Sequence, residues 1–410
     1  MTRTRPCQSQ SSAIHRRAIG CALALGFTFV AAALVTPPAQ AQVYSVLYSF
    51  KGAPDGSGPQ GDLLRDSKGN FYGTTAFGGS SHGVVFKVNS AGHESILHRF
   101  TGGADGGAPQ SGLIRDSAGN LYGTTASGGK SGDGVVFKLT ANREKVLHSF
   151  SGKDGAHPTA GLVRDKAGNL FGTTFYGGTA TCGCGTVFKL DPTGTETVLY
   201  SFTGGADGKF PSGKLLLDAA GNLYGTTSEG GIVNCDNLTD GCGVIFKVDP
   251  TGAETVLYSF NGGSDGAEPH AGLFRDSAGN FYGTGFSAGD LSRNCALNHG
   301  CGVVFTLSKA GVENALYTFT NGSDGANPAG GLVRDSAGNL YGTTKLGGAG
   351  YGVVFKLNST GGETVLYTFT GNSDGAGPVA GLVRDSAGNL YGTAVFGGDS
   401  SEGVVFKITP

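Results

Sequence analysis

A block reading Gly-Leu-Val-Arg-Asp-Ser-Ala-Gly-Asn-Leu-Tyr-Gly-Thr-Thr begins at Gly331, and near-copies begin at Gly61, Gly112, Gly161, Gly213, Gly272 and Gly381. Seven copies at a period of roughly 50 residues mark a repeat architecture, in which neighbouring units bury what one unit cannot. Each copy holds four β-prone runs separated by turn chemistry. In the sixth these are Leu332 to Asp335, Leu340 to Thr344, Val353 to Leu357 and Thr364 to Phe369. Ser336-Ala337-Gly338-Asn339 tolerates the positive φ of a tight turn, and Asp191-Pro192-Thr193-Gly194 and Asp249-Pro250-Thr251-Gly252 reverse the chain with Pro and Gly. No run has the length or period of a helix. The repeat is a four-stranded antiparallel meander.

Consecutive apolar residues in the third run (Val353-Val354-Phe355, Val135-Val136-Phe137) require cover on both faces of the strand. Radial stacking of the sheets supplies it and leaves only short edges. The 76 glycines and the absence of Trp suit tightly apposed sheets joined by turns. The last copy stops after its third run, Val404 to Ile408, and the missing fourth stands at the other end of the chain as Ser45-Val46-Leu47-Tyr48-Ser49-Phe50. Pairing the two removes open edges. The fold class expected is therefore all-β: a seven-bladed β-propeller of four-stranded antiparallel blades, closed by the N-terminal strand. An open solenoid is the runner-up, but it needs capping repeats, and neither end resembles one.

Residues 1–41 read as an export signal. Arg3, Arg5, Arg16 and Arg17 precede the apolar run Ala18 to Val35, and Ala39-Gln40-Ala41 offers a small-x-small cleavage site. The mature protein is expected to start at Gln42, with residues 42–410 forming a single propeller domain that is exported to the periplasm or the extracellular space. Beyond the signal, no run of 18 apolar residues is available to span a membrane. A net charge of −2 offers no basic footprint for nucleic acid. A monomer is expected.

Six of the eight cysteines lie beyond the signal, paired within the loops joining strands two and three: Cys182/Cys184, Cys235/Cys242 and Cys295/Cys301. Three within-loop disulfides are the economical reading in an oxidising compartment. The single residue between Cys182 and Cys184 makes ordinary disulfide geometry hard to reach. A zinc site is the alternative, although the Cys-x-x-Cys spacing is absent.

No catalytic constellation emerges. Gly123 to Ser131 resembles a phosphate loop but misses the spacing and leads into a strand. The histidines recur at no one repeat position, and no metal-ligand spacing is found, so no catalytic residue, metal ligand or cofactor is assigned. Seven Asp-Gly carboxylates (Asp55, Asp105, Asp154, Asp207, Asp265, Asp324, Asp374) leave calcium open, but Asp-Gly is also ordinary turn chemistry. The recurrent Arg-Asp pair, such as Arg334-Asp335, reads as pairing between strands. Positions that repeat in every copy build the scaffold, so a specific ligand is read by positions that vary. The loops between strands two and three should share a rim with the links between blades. That rim supplies the candidate ligand-binding residues Phe77, Tyr176, Glu229, Asp236, Asn237, Asp240, Arg293, Asn294, His299 and Phe396. Rigid loops mixing aromatic and polar groups suit recognition of a glycan or protein, and a merely decorated surface is the bland alternative.

The Gly-Leu-Val-Arg-Asp-Ser-Ala-Gly-Asn-Leu-Tyr-Gly-Thr-Thr block resembles the tandem Gloeobacter/Verrucomicrobia repeats of exported bacterial proteins, over essentially all of Val43 to Pro410. More distantly, the order strand, Asp-x-x-Gly-Asn, strand, Phe, turn, strand is similar to NHL-repeat propellers. That likeness implies that the Leu332-type strand is innermost and the Leu366-type strand outermost. The family implies no established reaction. Two functions remain: a secreted, non-enzymatic module binding carbohydrate or protein at its rim, and a metal-dependent hydrolase or lyase with its site in the central channel.

Overall fold

A computed structural model describes residues 42–141, 143–232, 235, 240–292, 295 and 299–410. Every regular element among them is a strand. After the N-terminal β1 (Val43–Ser49), the first repeat forms β2 (Leu64–Arg65), β3 (Phe71–Thr75), β4 (Val84–Val88) and β5 (Glu94–Arg99), paired antiparallel in chain order. The same sheet recurs in all seven copies, which we number as blades 1 to 7. Blade 4 alone adds a strand, Lys209–Pro211.

The turn after β2 is built by its own side chains. Asp66 accepts the backbone N–H of Lys68 and Asn70 (both 2.9 Å), the Asn70 amide (2.8 Å) and the Tyr72 hydroxyl (3.1 Å). Burial raises this carboxyl, but those donors outweigh it and hold it at about 2. The Asp-x-x-Gly-Asn run is thus a hydrogen-bonded box that sets where β3 begins.

β3 is buried throughout, β4 nearly so, and β5 alternates between half-buried and exposed. The third strand is therefore covered on both faces and the fourth lies outermost, as expected. Between blades, a phenylalanine ending each outer strand packs edge-on against one in the next blade's third strand. The pairs run Phe50–Phe86, Phe100–Phe137, Phe150–Phe188, Phe202–Phe246, Phe260–Phe305, Phe319–Phe355 and Phe369–Phe406, with ring centroids 5.0 to 5.3 Å apart. Gly73 makes room for this contact: a Cβ there would stand 2.5 Å from Cζ of Phe86.

The seam closes like any other junction. β1 pairs antiparallel with Val404–Thr409, Tyr44 opposite Ile408 and Val46 opposite Phe406. Phe50 then donates its N–H to Gly403 at 2.9 Å, as Phe100 does to Gly83 and Phe202 to Gly185 at 3.0 Å. Phe50–Phe86 joins the composite blade 7 to blade 1. The protein is a closed seven-bladed β-propeller.

The Asp-Gly carboxylates act as turn caps. Asp207 accepts the Thr203 N–H (2.7 Å) and hydroxyl (2.6 Å) and the Tyr200 hydroxyl (2.9 Å), and Asp324 and Asp374 take the equivalent bonds. The Arg-Asp pairing runs between the innermost strands of adjacent blades. Arg275 lies 3.7 Å from Asp218, and Arg334 3.7 Å from Asp276, each in the preceding blade. The innermost strands are two residues long, and these side chains reach the innermost strand of the neighbouring blade, not the next strand of their own.

Candidate functional site

On one face of the ring, each link between blades pairs directly with a loop joining strands two and three. The paired residues are Ser57 with Phe77, Gly107 with Ser127, Ala156 with Tyr176, Lys209 with Glu229, Ala267 with Ser287, Ala326 with Leu346 and Ala376 with Phe396. The next link residue is left-handed in every blade: Gly58 (φ 65°), Ala108 (51°), His157 (54°), Phe210 (60°), Glu268 (52°), Asn327 (55°) and Gly377 (59°). A non-glycine residue pays roughly 1–2 kcal/mol there. One offset is visible. The N–H of Phe210, Glu268 and Asn327 donates to the carbonyl of Cys184 (2.9 Å), Cys242 (2.9 Å) and Cys301 (2.7 Å) respectively.

Those acceptors belong to the three cystines. Cys182–Cys184, Cys235–Cys242 and Cys295–Cys301 are all bonded, with Cα separations of 5.2, 6.0 and 5.1 Å. The short Cys182–Cys184 pair is bonded across the single Gly183, whose φ is 60°. The four blade junctions without a cystine make the same bond, from Gly58, Ala108, His157 and Gly377 to the carbonyls of Glu402 (3.0 Å), His82 (2.8 Å), Asp133 (2.9 Å) and Tyr351 (2.9 Å). It therefore belongs to the scaffold, and the cystines add a covalent closure to three of these loops.

The most developed result lies between blades 3 and 4. The Phe175 ring stacks on Phe210 (centroids 4.9 Å, planes 10° apart), and Tyr176 meets Phe175 edge-on at 4.8 Å and Phe210 at 5.2 Å. His157 adds a further edge contact to Tyr176 at 5.5 Å. Beside the rings, Lys209 Nζ stands 5.1 Å from the Phe210 centroid and bonds Glu229 at 2.9 Å and Asp240 at 3.0 Å. Burial works against the Lys209 charge, but the two carboxylates outweigh it and raise its pKa. The platform is half-buried, with Tyr176 45% exposed.

Of the residues expected from sequence, Tyr176, Glu229 and Asp240 meet here through Phe210 and Lys209. Phe77 and Phe396, 53% and 59% exposed, stand on blades 1 and 7, away from this junction. His299 is exposed in the blade 5 loop, where its carbonyl accepts the Ala288 N–H at 2.7 Å. Asp236, Asn237, Arg293 and Asn294 lie outside the described residues. Sequence reasoning missed Phe175, Phe210, His157 and Lys209. A signal existed at Phe210, which stands where other blades have Gly58, Ala108 or Gly377; Phe175 is less distinctive, because blade 5 has Phe286 at the same place.

The innermost strands enclose a channel of about 800 Å³. Asp62 and Lys214 project where the other blades have Gly112, Gly161, Gly272, Gly331 and Gly381. His270 lines it and packs edge-on against Phe286 at 5.0 Å; burial, then the Lys345 charge, pushes its imidazole down to about 4. Among the described residues, the one trio of His, Cys, Asp or Glu at ligand spacing lies elsewhere, at His148, Asp154 and Glu196.

The sequence profile of the Gloeobacter/Verrucomicrobia repeat matches residues 28–239 and 232–410. The chain belongs to that family. Among curated proteins none matches it. Among solved structures, this repeat protein is similar to the extracellular domain of a candidate one-component system from B. thetaiotaomicron, at 14% identity and a TM-score of 0.53. That match covers 87% of this chain and 40% of the other. The repeat protein thus spans well under half of that relative's length. A gluconolactonase from Xanthomonas campestris matches at 12% identity and a TM-score of 0.45, covering 90% of this chain and 89% of its own. At such identities the likeness extends to the fold alone.

Proposed function

We propose that this repeat protein is an exported, non-enzymatic binding module that holds a carbohydrate on the rim between blades 3 and 4. The observation that carries this reading is the Phe175–Tyr176–Phe210 platform with Lys209, Glu229 and Asp240 beside it. A sugar ring has apolar C–H faces that stack on aromatic rings, and hydroxyls that need fixed donors and acceptors at the edge. Here the two kinds of group are adjacent, and the Cys184 carbonyl holds Phe210 in place before any ligand arrives. Export is supported by three cystines, which persist in oxidising compartments. Cleavage after Ala41 would leave β1, which starts at Val43, intact.

Phe210→Gly tests the site without threatening the fold, because Gly58 and Gly377 occupy the same left-handed position in other blades. On a glycan array followed by calorimetry, the variant should lose about 5-fold in affinity, since each stacked ring contributes on the order of 1 kcal/mol. Phe77→Ser, on the far side of the ring, should leave binding unchanged. Wild-type binding that survives Phe210→Gly would exclude this platform. Capture of a protein with no glycan bound would favour the protein-binding alternative.

A further inference from the structure

At the outer edge of the junction between blades 2 and 3, three segments bring ligand-type side chains together. His148 comes from the outer strand of blade 2, Asp154 from the link that follows, and Glu196 from the start of the outer strand of blade 3. One nitrogen of His148 and one carboxylate oxygen from each acid all lie within 4.8 Å of one another. The arrangement is held from behind. Asp154 Oδ1 accepts the N–H (2.8 Å) and hydroxyl (3.0 Å) of Ser151, which leaves Oδ2 facing His148 Nε2 at 2.8 Å. The His148 ring is fixed edge-on against Phe150, centroids 4.8 Å apart. Glu196 Oε1 is shielded from solvent and has no hydrogen-bond partner. The same is true of the glutamates that open the outer strands of blades 1, 2, 4, 5 and 6, so it is the imidazole that sets this junction apart. Burial, then the Asp154 charge, pushes the Glu196 carboxyl up to about 7.

Five other junctions show what the scaffold needs at this place. Tyr48, Tyr200, Tyr258, Tyr317 and Tyr367 stand where His148 does, each donating its hydroxyl to the link aspartate. A neutral phenol satisfies the fold, so the imidazole adds a capacity the fold does not require. At the other histidine junction, His98 Nε2 stands 3.4 Å from Asp105 and makes no hydrogen bond. One imidazole and two carboxylates are the donor set of a zinc-class ion with an open position for water; all-oxygen sets suit calcium or magnesium.

We propose that His148, Asp154 and Glu196 form a binding site for a divalent zinc-class metal that bridges blades 2 and 3. The three donor atoms come from two blades and lie close enough to meet on one ion. Asp154 and His157 belong to the same short link, and Ala156 pairs with Tyr176, so a bound ion ties down the outer edge of the segment that borders the aromatic platform. The site does not depend on the carbohydrate reading.

The test is titration of untagged, chelator-treated mature protein with zinc chloride, followed by calorimetry and thermal melting. Wild type should bind a single zinc ion per chain and melt at a higher temperature with zinc than without. His148→Tyr installs the residue the other junctions use, so the metal-free melt should not fall. Zinc affinity should drop by at least about 100-fold, more than an outer-shell change causes. Glu196→Gln should weaken zinc binding as well, and His98→Tyr should leave it unchanged. The proposal is overturned if wild type takes up no zinc, if His148→Tyr binds as tightly as wild type, or if His98→Tyr abolishes the site.

Discussion

At the scale of single residues, the glycines of the second strand show how closely side chains decide the backbone. Gly73 is buried mid-strand, and an added methyl would sit 2.5 Å from Phe86 and 3.2 Å from Leu63. The ring that packs across the blade junction thus dictates the residue beside it. Gly73→Ala is expected to lower stability by about 1–3 kcal/mol, the usual cost of overpacking, read from the urea midpoint. Gly205→Ala, where the added methyl meets nothing nearer than 3.6 Å, should leave that midpoint unchanged or raise it slightly. Equal effects of the two would show that ring contact is not what demands glycine at Gly73. Such contacts were not legible in the sequence, because the recurrence of Gly73 and Phe86 does not say that they touch. The same holds for Phe175 and Phe210. Both are variable positions from different repeats, and only packing between blades reveals them as one surface.

At the scale of the element, the outer strands carry a pH dependence. Glu94, Glu254, Glu313 and Glu363 open these strands, and each has Oε1 shielded and unpartnered. Burial, then Asp55, Asp207, Asp265 and Asp324 of the preceding junction, push these carboxyls from 4.5 up to about 7. The folded state therefore holds these protons more tightly than the unfolded chain. Their stabilisation is complete below about 4.5 and is lost as pH rises to about 7. Asp66 has the opposite sign: its pKa is lowered from 3.8 to about 2, so its contribution is lost as pH falls below 3.8. Thermal melts should thus peak at mildly acidic pH and decline between pH 5 and pH 8. Replacing the four glutamates by glutamine should flatten that decline; an undiminished slope would rule these groups out. The strands and turns were readable, since the Asp-x-x-Gly-Asn boxes and Asp-Pro-x-Gly reversals act within a few residues. The pairing of Glu254 with Asp207 was not, because it links two blades at their outer edges.

At the scale of the whole molecule, closure is the decisive feature. β1 completes blade 7, and Phe50 completes the ring of edge-on aromatic pairs. Removing residues 43–50 from the mature chain should expose the Val404–Thr409 edge and strip the cover from Phe86. The expected cost exceeds about 3 kcal/mol, the scale of losing one buried phenylalanine, and the free edge invites self-association. Light scattering and thermal melting would read both effects. A truncated protein that stays monomeric with an unchanged melting temperature would refute the closing role of β1.

By itself, the sequence determined the number of blades, the order of strands within each, the composite seventh blade and the cystine partners. These follow from turns and pairings between segments adjacent in the chain or repeated at a constant period, where local chemistry leaves a visible pattern. The tertiary structure alone decided which variable side chains meet. The aromatic platform with Lys209, the acid pairs and the His148–Asp154–Glu196 cluster all lie across blade junctions. Contact there depends on how one sheet packs against the next, and no periodicity within a single repeat records that.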